Sequence, residues 1–122
     1  MKIAIAAWDN RISTVFDAAD ELLIIDEETK GSTAKSKISL TDTTIIDKAA
    51  LIRELGTDVL ICGALPRPIE YMISAAGVQV LSFIRGPVDE VIEAFRNGGL
   101  ADHVFVMPGC RRGMGRGQKG VC

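Results

Sequence analysis

The spacing of apolar residues along the chain predicts three short strands followed by helices that alternate with further strands. Residues 2–7 and 22–26 are apolar runs of strand length. Residues 33–40 alternate apolar with polar side chains and include Lys35 and Lys37, as is typical of a strand at a sheet edge. A turn is expected at 8–10 and a hairpin turn at 27–32, so the first three strands form a meander.

From residue 45 onward the apolar positions recur every three to four residues, which is the period of a helix. A first helix is predicted at about 45–55, capped by Thr43 or Thr44. A second opens at 65–68 and ends near 76, and a third opens at 86–87 and ends at 98–99. Between the helices, residues 58–63 and 78–84 are nearly continuous apolar runs, which predicts strands buried on both faces. Residues 103–107 are a candidate last strand.

This order of elements predicts a three-layer α/β fold. Strands that alternate with helices should run parallel to the first strand through right-handed crossovers. A mixed five-stranded sheet of order 3-2-1-4-5, counted over the predicted strands and with helices on both faces, satisfies these rules and corresponds to the ribonuclease-H-like fold. Residues 1–107 are predicted to form this domain. Residues 108–122 have no periodicity and are predicted to form a flexible tail rich in glycine and arginine.

Composition indicates one small core in a reducing compartment. A chain of 122 residues suits a single domain, and 48% apolar residues are enough to fill its core. The longest apolar runs are too short to cross a bilayer, and no secretory leader is visible, so no membrane partner and a cytoplasmic location are expected. Three cysteines are an odd, small set, which argues for free thiols rather than a disulfide framework.

Charge is unevenly distributed between the predicted domain and the tail. The formal net charge is −2, yet residues 109–122 contain four basic and no acidic residues, which leaves 10 basic and 16 acidic residues elsewhere. The tail therefore carries +4 and the rest of the chain −6. Arginine combined with glycine is one recipe for binding nucleic acid, but this tail has no aromatic residue for stacking, so nucleic acid is not the expected partner. The basic residues are Arg111, Arg112, Arg116 and Lys119.

In open parallel sheets, ligands bind beyond the carboxyl ends of the strands. Residues 8–10, 62–64 and 85–87 should meet at that edge, and two of these segments precede helices, whose N-termini favour anions. The glycines there either allow a ligand to approach the backbone or merely allow tight turns. A two-metal nuclease would need several carboxylates at this edge, but the fourth predicted strand ends in Cys62-Gly63. The candidate cofactor-binding residues of the edge are Asp9, Asn10, Arg11, Gly63, Arg85 and Gly86.

Four residues are candidate ligands for a soft metal. His103 together with Cys110 could bind such a metal or an iron–sulfur species, the alternative being a partly exposed histidine before a strand. Cys62 lies inside a buried apolar run and is better explained as a packed thiol. Cys110 is followed by two arginines, which favour its thiolate, but the spacing of Cys110 and Cys122 matches no compact zinc knuckle. No nucleophile paired with a base is visible, so an enzyme is not predicted.

Several segments resemble a known family, and together they cover nearly the whole chain. These are Arg-Ile-Ser-Thr-Val-Phe-Asp at 11–17, Glu-Leu-Leu-Ile-Ile-Asp at 21–26, Val-Leu-Ile-Cys-Gly-Ala at 59–64, Gly-Pro-Val-Asp-Glu-Val-Ile-Glu-Ala-Phe at 86–95 and Met-Pro-Gly-Cys at 107–110. In their order and spacing they resemble the nitrogenase iron–molybdenum cofactor accessory family. The resemblance implies a ribonuclease-H-like domain without nuclease activity. Many members carry a His-Phe pair where this chain has Val15-Phe16, so that candidate cluster contact is absent here.

The resemblance implies a non-enzymatic carrier or chaperone for an iron–molybdenum-type or other metal–sulfur cluster during metallocluster assembly. Backbone N–H groups and Arg85 would hold the cluster in the crevice, Cys110 would supply a thiolate, and Arg111 and Arg112 would offset negative charge. Remaining candidate ligands are Cys122, His103 and Cys62. The implied partner is a protein that donates or accepts the cluster. The alternative is an interaction module that docks a protein or nucleic-acid partner through its basic tail.

Overall fold

The computed structural model describes residues 1–27 and 33–98, without the side chains of residues 27, 33 and 34. A 3-10 turn (Phe16–Ala18) lies between the second and third strands. Most of the predicted hairpin turn, the candidate strand at 103–107 and the tail lie outside the described residues. In chain order the strands and helices are β1 (Lys2–Trp8), β2 (Arg11–Ile12), β3 (Glu21–Glu27), β4 (Thr33–Ser39), α1 (Ile45–Glu54), β5 (Val59–Ile61), α2 (Arg67–Ser74), β6 (Gln79–Leu81) and α3 (Val88–Arg96).

The sheet follows the path β4-β3-β1-β5-β6, and β2 pairs with β1 beside this path. Strands β1 and β3 are antiparallel, as are β3 and β4, whereas β5 runs parallel to both β1 and β6. The five longer strands correspond to 3-2-1-4-5 when they are counted without β2. The predicted number of strands was wrong, because the described sheet has six. A strand of two residues is too short to show an alternating period, so the sequence pattern could not reveal β2.

Helices cover both faces of the sheet, which confirms the predicted three layers. Strand β1 divides its side chains between two buried clusters, as the two-residue period of a strand requires. Ala4 and Ala6 lie in the cluster that α1 and α2 cover, and their small size lets these helices approach the sheet closely. Ile3 and Ile5 lie in the cluster that α3 covers. All four side chains are at most 1% exposed, so β1 is the centre of the core.

The predicted strands at 58–63 and 78–84 are shorter than expected, at Val59–Ile61 and Gln79–Leu81. Strand β6 ends the described path of the sheet and is only partly buried, so the prediction that it is buried on both faces was wrong. Beyond Leu81 the chain turns, with Phe83 at a φ of 61°. Ile84 is nevertheless fully buried, because this loop folds back and Ile84 N donates to Cys62 O at 3.0 Å. The apolar run is therefore longer than the strand because Ile84, in the loop beyond Leu81, also packs into the core.

The helix starts follow their local sequence. Thr44, rather than Thr43, caps α1, since its Oγ1 accepts a hydrogen bond from Asp47 N at 3.1 Å. Helices α2 and α3 begin after Pro66 and Pro87, whose fixed φ suits a helix start, and neither has a side-chain cap. Among the described residues, none of the helices has the length and apolar character needed to cross a membrane.

Candidate functional site

Three loops meet at the carboxyl edge of the parallel strands, and backbone hydrogen bonds join them. Ile12 N donates to Gly86 O at 2.9 Å, and Val88 N donates to Asn10 O at 3.0 Å, which ties the β1–β2 hairpin to the start of α3. On the other side, Ala64 N donates to Thr14 O at 2.9 Å. We use the name carboxyl edge for residues 8–16, 62–66 and 82–88. The structure thus brings together the three segments that the sequence analysis placed there.

Asp9 and Asn10 form the two-residue turn of the β1–β2 hairpin. Their φ values are 54° and 62°, and this left-handed pair is the geometry that matches the twist of a two-residue hairpin. Asp and Asn adopt this conformation more readily than most residues. Both side chains are exposed, and the carbonyl of Asn10 is already engaged by Val88. The turn alone therefore explains these residue types.

The two glycines of the carboxyl edge are explained by the backbone. A Cβ atom on Gly63 would collide with the carbonyl oxygens of Ser13 and Thr14, because the 13–14 segment lies directly against it. Gly63 is buried by the protein itself, so its surface is not open to a ligand. Gly86 has a φ of 122°, a conformation that residues with a Cβ rarely adopt. Of the two explanations for these glycines, the structure favours tight backbone packing.

Some backbone donors of the two helix N-termini are already used. In α2, Pro68 has no N–H, and the N–H groups of Ile69 and Glu70 both donate to Pro66 O at 3.0 Å. In α3, Val88 N donates to Asn10 O, and the next residues, Asp89 and Glu90, bring carboxylates to the first turn. Those carboxylates already offset the positive end of the helix dipole. The helix starts alone therefore make a weaker anion site than the sequence suggested.

The carboxyl edge and the residues that flank it in the chain are acidic in sum. Three exposed arginines lie at or next to it, namely Arg11, Arg67 and Arg85. Five exposed carboxylates lie at the edge or up to four residues beyond it in the chain, namely Asp9, Asp17, Asp20, Asp89 and Glu90. An anionic ligand bound here would be attracted to the arginines but repelled by the larger number of carboxylates. A strongly anionic cargo would need further positive charge from elsewhere.

Cys62 is the one predicted metal ligand among the described residues, and it is fully buried. It lies in the cluster between the sheet and helices α1 and α2, together with Phe16 and Leu60. The structure therefore favours the packed thiol over a ligand. Within residues 1–27 and 33–98, no group of three or more His, Cys, Asp or Glu side chains could hold a metal ion. The other predicted ligands and tail cations lie outside the described residues, namely His103, Cys110, Arg111, Arg112 and Cys122.

Two exposed apolar side chains at the carboxyl edge were not among the predicted site residues. Trp8 is 55% exposed and borders a depression of about 230 Å³ beside Arg11. Val15 is 42% exposed and borders a second depression, of about 360 Å³, with Leu65 and Pro66. Trp8 is the last residue of β1, and Val15 follows β2. For Trp8, an aromatic residue at the end of a parallel strand was the available signal in the sequence. Together the two side chains give the edge an apolar, accessible surface.

A buried lysine fixes the loop that carries Val15. Lys48, on α1, is 3% exposed, and its Nζ donates to the backbone carbonyls of Asp17 and Ala19 at 2.5 and 2.8 Å. These carbonyls belong to the 3-10 turn that follows Val15. Phe16, next to Val15, is fully buried, and its N–H donates to Ala64 O at 2.8 Å. The edge around Val15 is therefore held from both sides and preorganised.

The comparisons with known proteins agree with this architecture. The family described as dinitrogenase iron-molybdenum cofactor matches residues 1–98. This chain belongs to that family. Among curated proteins, none matches the sequence. The family match ends at the last described residue, so it rests entirely on the domain and not on the tail.

Solved structures share the fold over almost their whole length. The protein PH0822 is 21% identical, with 80% of this chain and 90% of that chain covered and a TM-score of 0.73. The orange protein of Desulfovibrio gigas, in its apo form, is 21% identical, with coverages of 80% and 88% and a TM-score of 0.66. A NifB-like protein from Thermotoga is 28% identical, with coverages of 80% and 89% and a TM-score of 0.60. At these identities the first two likenesses concern the fold alone.

Proposed function

We propose that this protein is a non-enzymatic carrier or chaperone that binds a metal–sulfur cluster, of iron–molybdenum or related type, at the carboxyl edge. The observation that carries the proposal is the family match over residues 1–98, which includes every segment of that edge. The similarity to a NifB-like protein from Thermotoga supports a role connected with clusters. The partner would be a protein that donates or accepts the cluster.

The charges of the domain and the tail suggest different roles for them in binding the cluster. Backbone hydrogen bonds join the loops of the described carboxyl edge, the residues that flank it are mostly acidic, and its only cysteine, Cys62, is buried in the core. Such an edge could position a cluster but would supply neither thiolates nor a surplus of positive charge. The tail has both, because Cys110 is followed directly by Arg111 and Arg112. Ligands on a tail also suit release to a partner better than a closed cage would.

The direct test is anaerobic reconstitution of the full chain with iron, molybdate and sulfide. We expect visible absorbance and bound metal in the wild type, and a loss of both in Cys110→Ser. Cys62→Ala is the matched control, because this thiol is buried and packed against apolar neighbours. Equal metal uptake by all three proteins would refute the role of Cys110, and no uptake by the wild type would refute the carrier function.

A second variant tests the edge itself. Val15 is 42% exposed at the position where many family members have histidine, so Val15→His should be accommodated without disturbing the core. If the cluster lies at the carboxyl edge, an imidazole there should add a ligand and slow cluster loss to a chelator. Glu54→His introduces the same side chain at the exposed last residue of α1, next to Leu55, whose carbonyl accepts a hydrogen bond from Lys2 at the opposite end of β1. An equal effect of both variants would show that the cluster is bound elsewhere.

The rival proposal is an interaction module that uses its basic tail, and the observation favouring it is the +4 charge of residues 109–122 against −6 elsewhere. It predicts binding of the full chain to single-stranded RNA that weakens steeply with salt, because each phosphate contact releases counterions. Fluorescence anisotropy from low to physiological salt measures this. Salt-dependent binding without metal uptake would favour the module, and metal uptake without RNA binding would favour the carrier.

Three further assignments belong to the same proposal. We place the protein in the cytoplasm, where free thiols stay reduced and can serve as ligands. We assign the fold as ribonuclease-H-like, because the five longer strands follow the path β4-β3-β1-β5-β6. We treat the protein as having no catalytic activity of its own, since the described edge offers no nucleophile placed beside a base.

A further inference from the structure

The two faces of the sheet are covered unequally by the described residues. Helices α1 and α2 pack on one face, whereas α3 packs alone on the other. A helix with its side chains is about 10 Å wide, and neighbouring strands are about 4.8 Å apart, so one helix covers about two strands. Most of the buried strand residues in the cluster that α3 covers belong to β1 and β5. The α3 side of β3 and β4 therefore has less cover than the rest of the sheet.

A groove of about 530 Å³ lies where this cover is missing, between α3 and the β3–β4 pair. Leu23 and Ile25 of β3 line it, as do Val88 and Ile92 of α3, so one part of its lining is apolar. Leu23 is only partly buried, which shows that the groove leaves apolar surface accessible in the described part of the chain. Lys35 and Lys37 of β4 also line it, as do Ser36 and Asp89, and Asn10 lines it next to the carboxyl edge. The two lysines and the one carboxylate leave the lining with a charge of +1.

We propose that residues 100–107 of this chain occupy the groove. The handedness of the connections between strands and helices supports residues 100–107 as the segment that fills the groove. Helix α2 joins β5 to β6 on one face of the sheet, and α3 follows β6 on the opposite face. A right-handed connection through a helix on the opposite face leads back across the sheet, towards β3 and β4, rather than outward past β6. The chain that follows α3 is thereby directed over the groove.

The composition of residues 100–107 matches the groove. Six of the eight residues in Leu-Ala-Asp-His-Val-Phe-Val-Met are apolar, and an apolar segment of this density needs burial. Asp102 is the only acidic residue after Glu93, and it could pair with Lys35 or Lys37. The arginine-rich residues beyond 110 carry the same sign of charge as those lysines, so they are not suited to the groove.

The length of the segment also suffices. Helix α3 has nine residues, which corresponds to about 14 Å at the usual helical rise. Eight extended residues span about 26 Å, so the segment can return along the whole of α3 to Asn10. Cys110 would then follow three residues beyond Met107, at the carboxyl edge. Occupation of the groove does not depend on the proposed function, although it would place Cys110 where that function needs a ligand.

Cysteine cross-linking in the full chain tests the placement. With Cys110→Ser and Cys122→Ser as background, Lys35→Cys and Val104→Cys should form a disulfide within one chain under mild oxidation, because Lys35 lines the groove. The control pair combines Val104→Cys with Arg53→Cys, an exposed position on α1 across the sheet. We expect a monomer two mass units lighter for the first pair alone. Equal cross-linking of both pairs would overturn the proposal, and a disulfide-linked dimer would assign the groove to a second copy.

A measurement without introduced cysteines completes the test. Phe105→Asp should lower the urea midpoint and raise the fluorescence of an apolar dye, because it puts a charge in the groove and exposes its lining. Met114→Asp is the matched control, since it adds the same charge to an apolar position of the tail outside 100–107. Equal shifts for the two variants would contradict docking of residues 100–107. Neither experiment uses metal, so failure here and failure of the carrier function are distinguishable.

Discussion

Lys48→Met should destabilise the protein by about 1–3 kcal/mol, although it replaces a buried charge by an apolar side chain of similar length. Lys48 is 3% exposed, and its Nζ donates to the carbonyls of Asp17 and Ala19 at 2.5 and 2.8 Å. Methionine keeps the packing of the aliphatic stem and removes both hydrogen bonds. The variant thus isolates the polar contribution of Lys48 to holding the 3-10 turn.

The magnitude follows from the burial of the two carbonyls. The hydrogen bond to Ala19 is buried, so its acceptor would be left dry and unsatisfied, at a cost of about 1–3 kcal/mol. The hydrogen bond to Asp17 is only part-buried, and Asp17 is exposed, so water can replace Nζ there at little cost. Removing the ammonium group of Lys48, which loses its hydration on folding, offsets part of this loss of stability. The unsatisfied carbonyl of Ala19 therefore accounts for most of the expected loss of stability.

Urea unfolding followed by far-UV circular dichroism measures the effect. Arg53→Met is the matched control, because Arg53 is exposed on the same helix and should change stability by less than about 0.5 kcal/mol. Amide hydrogen exchange should show faster opening around Phe16 and Ala19 in Lys48→Met alone. Equal stability changes in both variants, or a gain in stability in Lys48→Met, would refute the reasoning.

Two further substitutions test the packing behind the carboxyl edge and the start of α1. Gly63→Ala should cost more than about 2 kcal/mol and perturb amide resonances of residues 12–16, because its Cβ would overlap the carbonyls of Ser13 and Thr14; resonances unchanged from the wild type would contradict the close approach. Thr44→Ala should cost about 1 kcal/mol by thermal unfolding, since the hydrogen bond from Asp47 N is lost. Thr43→Ala, its neighbour, should have the smaller effect, and the reverse order would contradict the assignment of the cap.

The carboxyl edge differs from the sequence-based expectation in a way that bears on function. Sequence alone suggested an anion site built from helix N-termini and glycines, but the structure uses several of those N–H groups for internal hydrogen bonds and packs Gly63 closely against residues 13–14. What the edge offers instead is a preorganised, partly apolar surface around Trp8 and Val15. The proposal that the protein carries a cluster therefore assigns its ligands mainly to the tail.

Local sequence patterns were enough to predict the order and type of nearly all helices and strands. The period of the apolar residues and the helix caps depend only on residues close together in the chain. The alternation in β1, the helical spacing of Ile45–Glu54 and the prolines that open α2 and α3 are all readable in this way. The crossover rule then restricted the topology to few possibilities. Membership of the family could also be recognised from the sequence, since the segments that resemble it at 11–17, 21–26, 59–64 and 86–95 lie within the matched residues 1–98.

Tertiary structure alone decided which of these residues are free to act. Gly63 is in a loop by local pattern, but only the approach of residues 13–14 shows that it is closed to a ligand. Lys48 is a surface position by helical spacing, yet it is buried because the carbonyls of a turn about 30 residues away meet its Nζ. Both depend on contacts between distant parts of the chain, whose geometry no local period encodes. For the same reason the groove beside α3 could be found only once the unequal cover of the sheet was known.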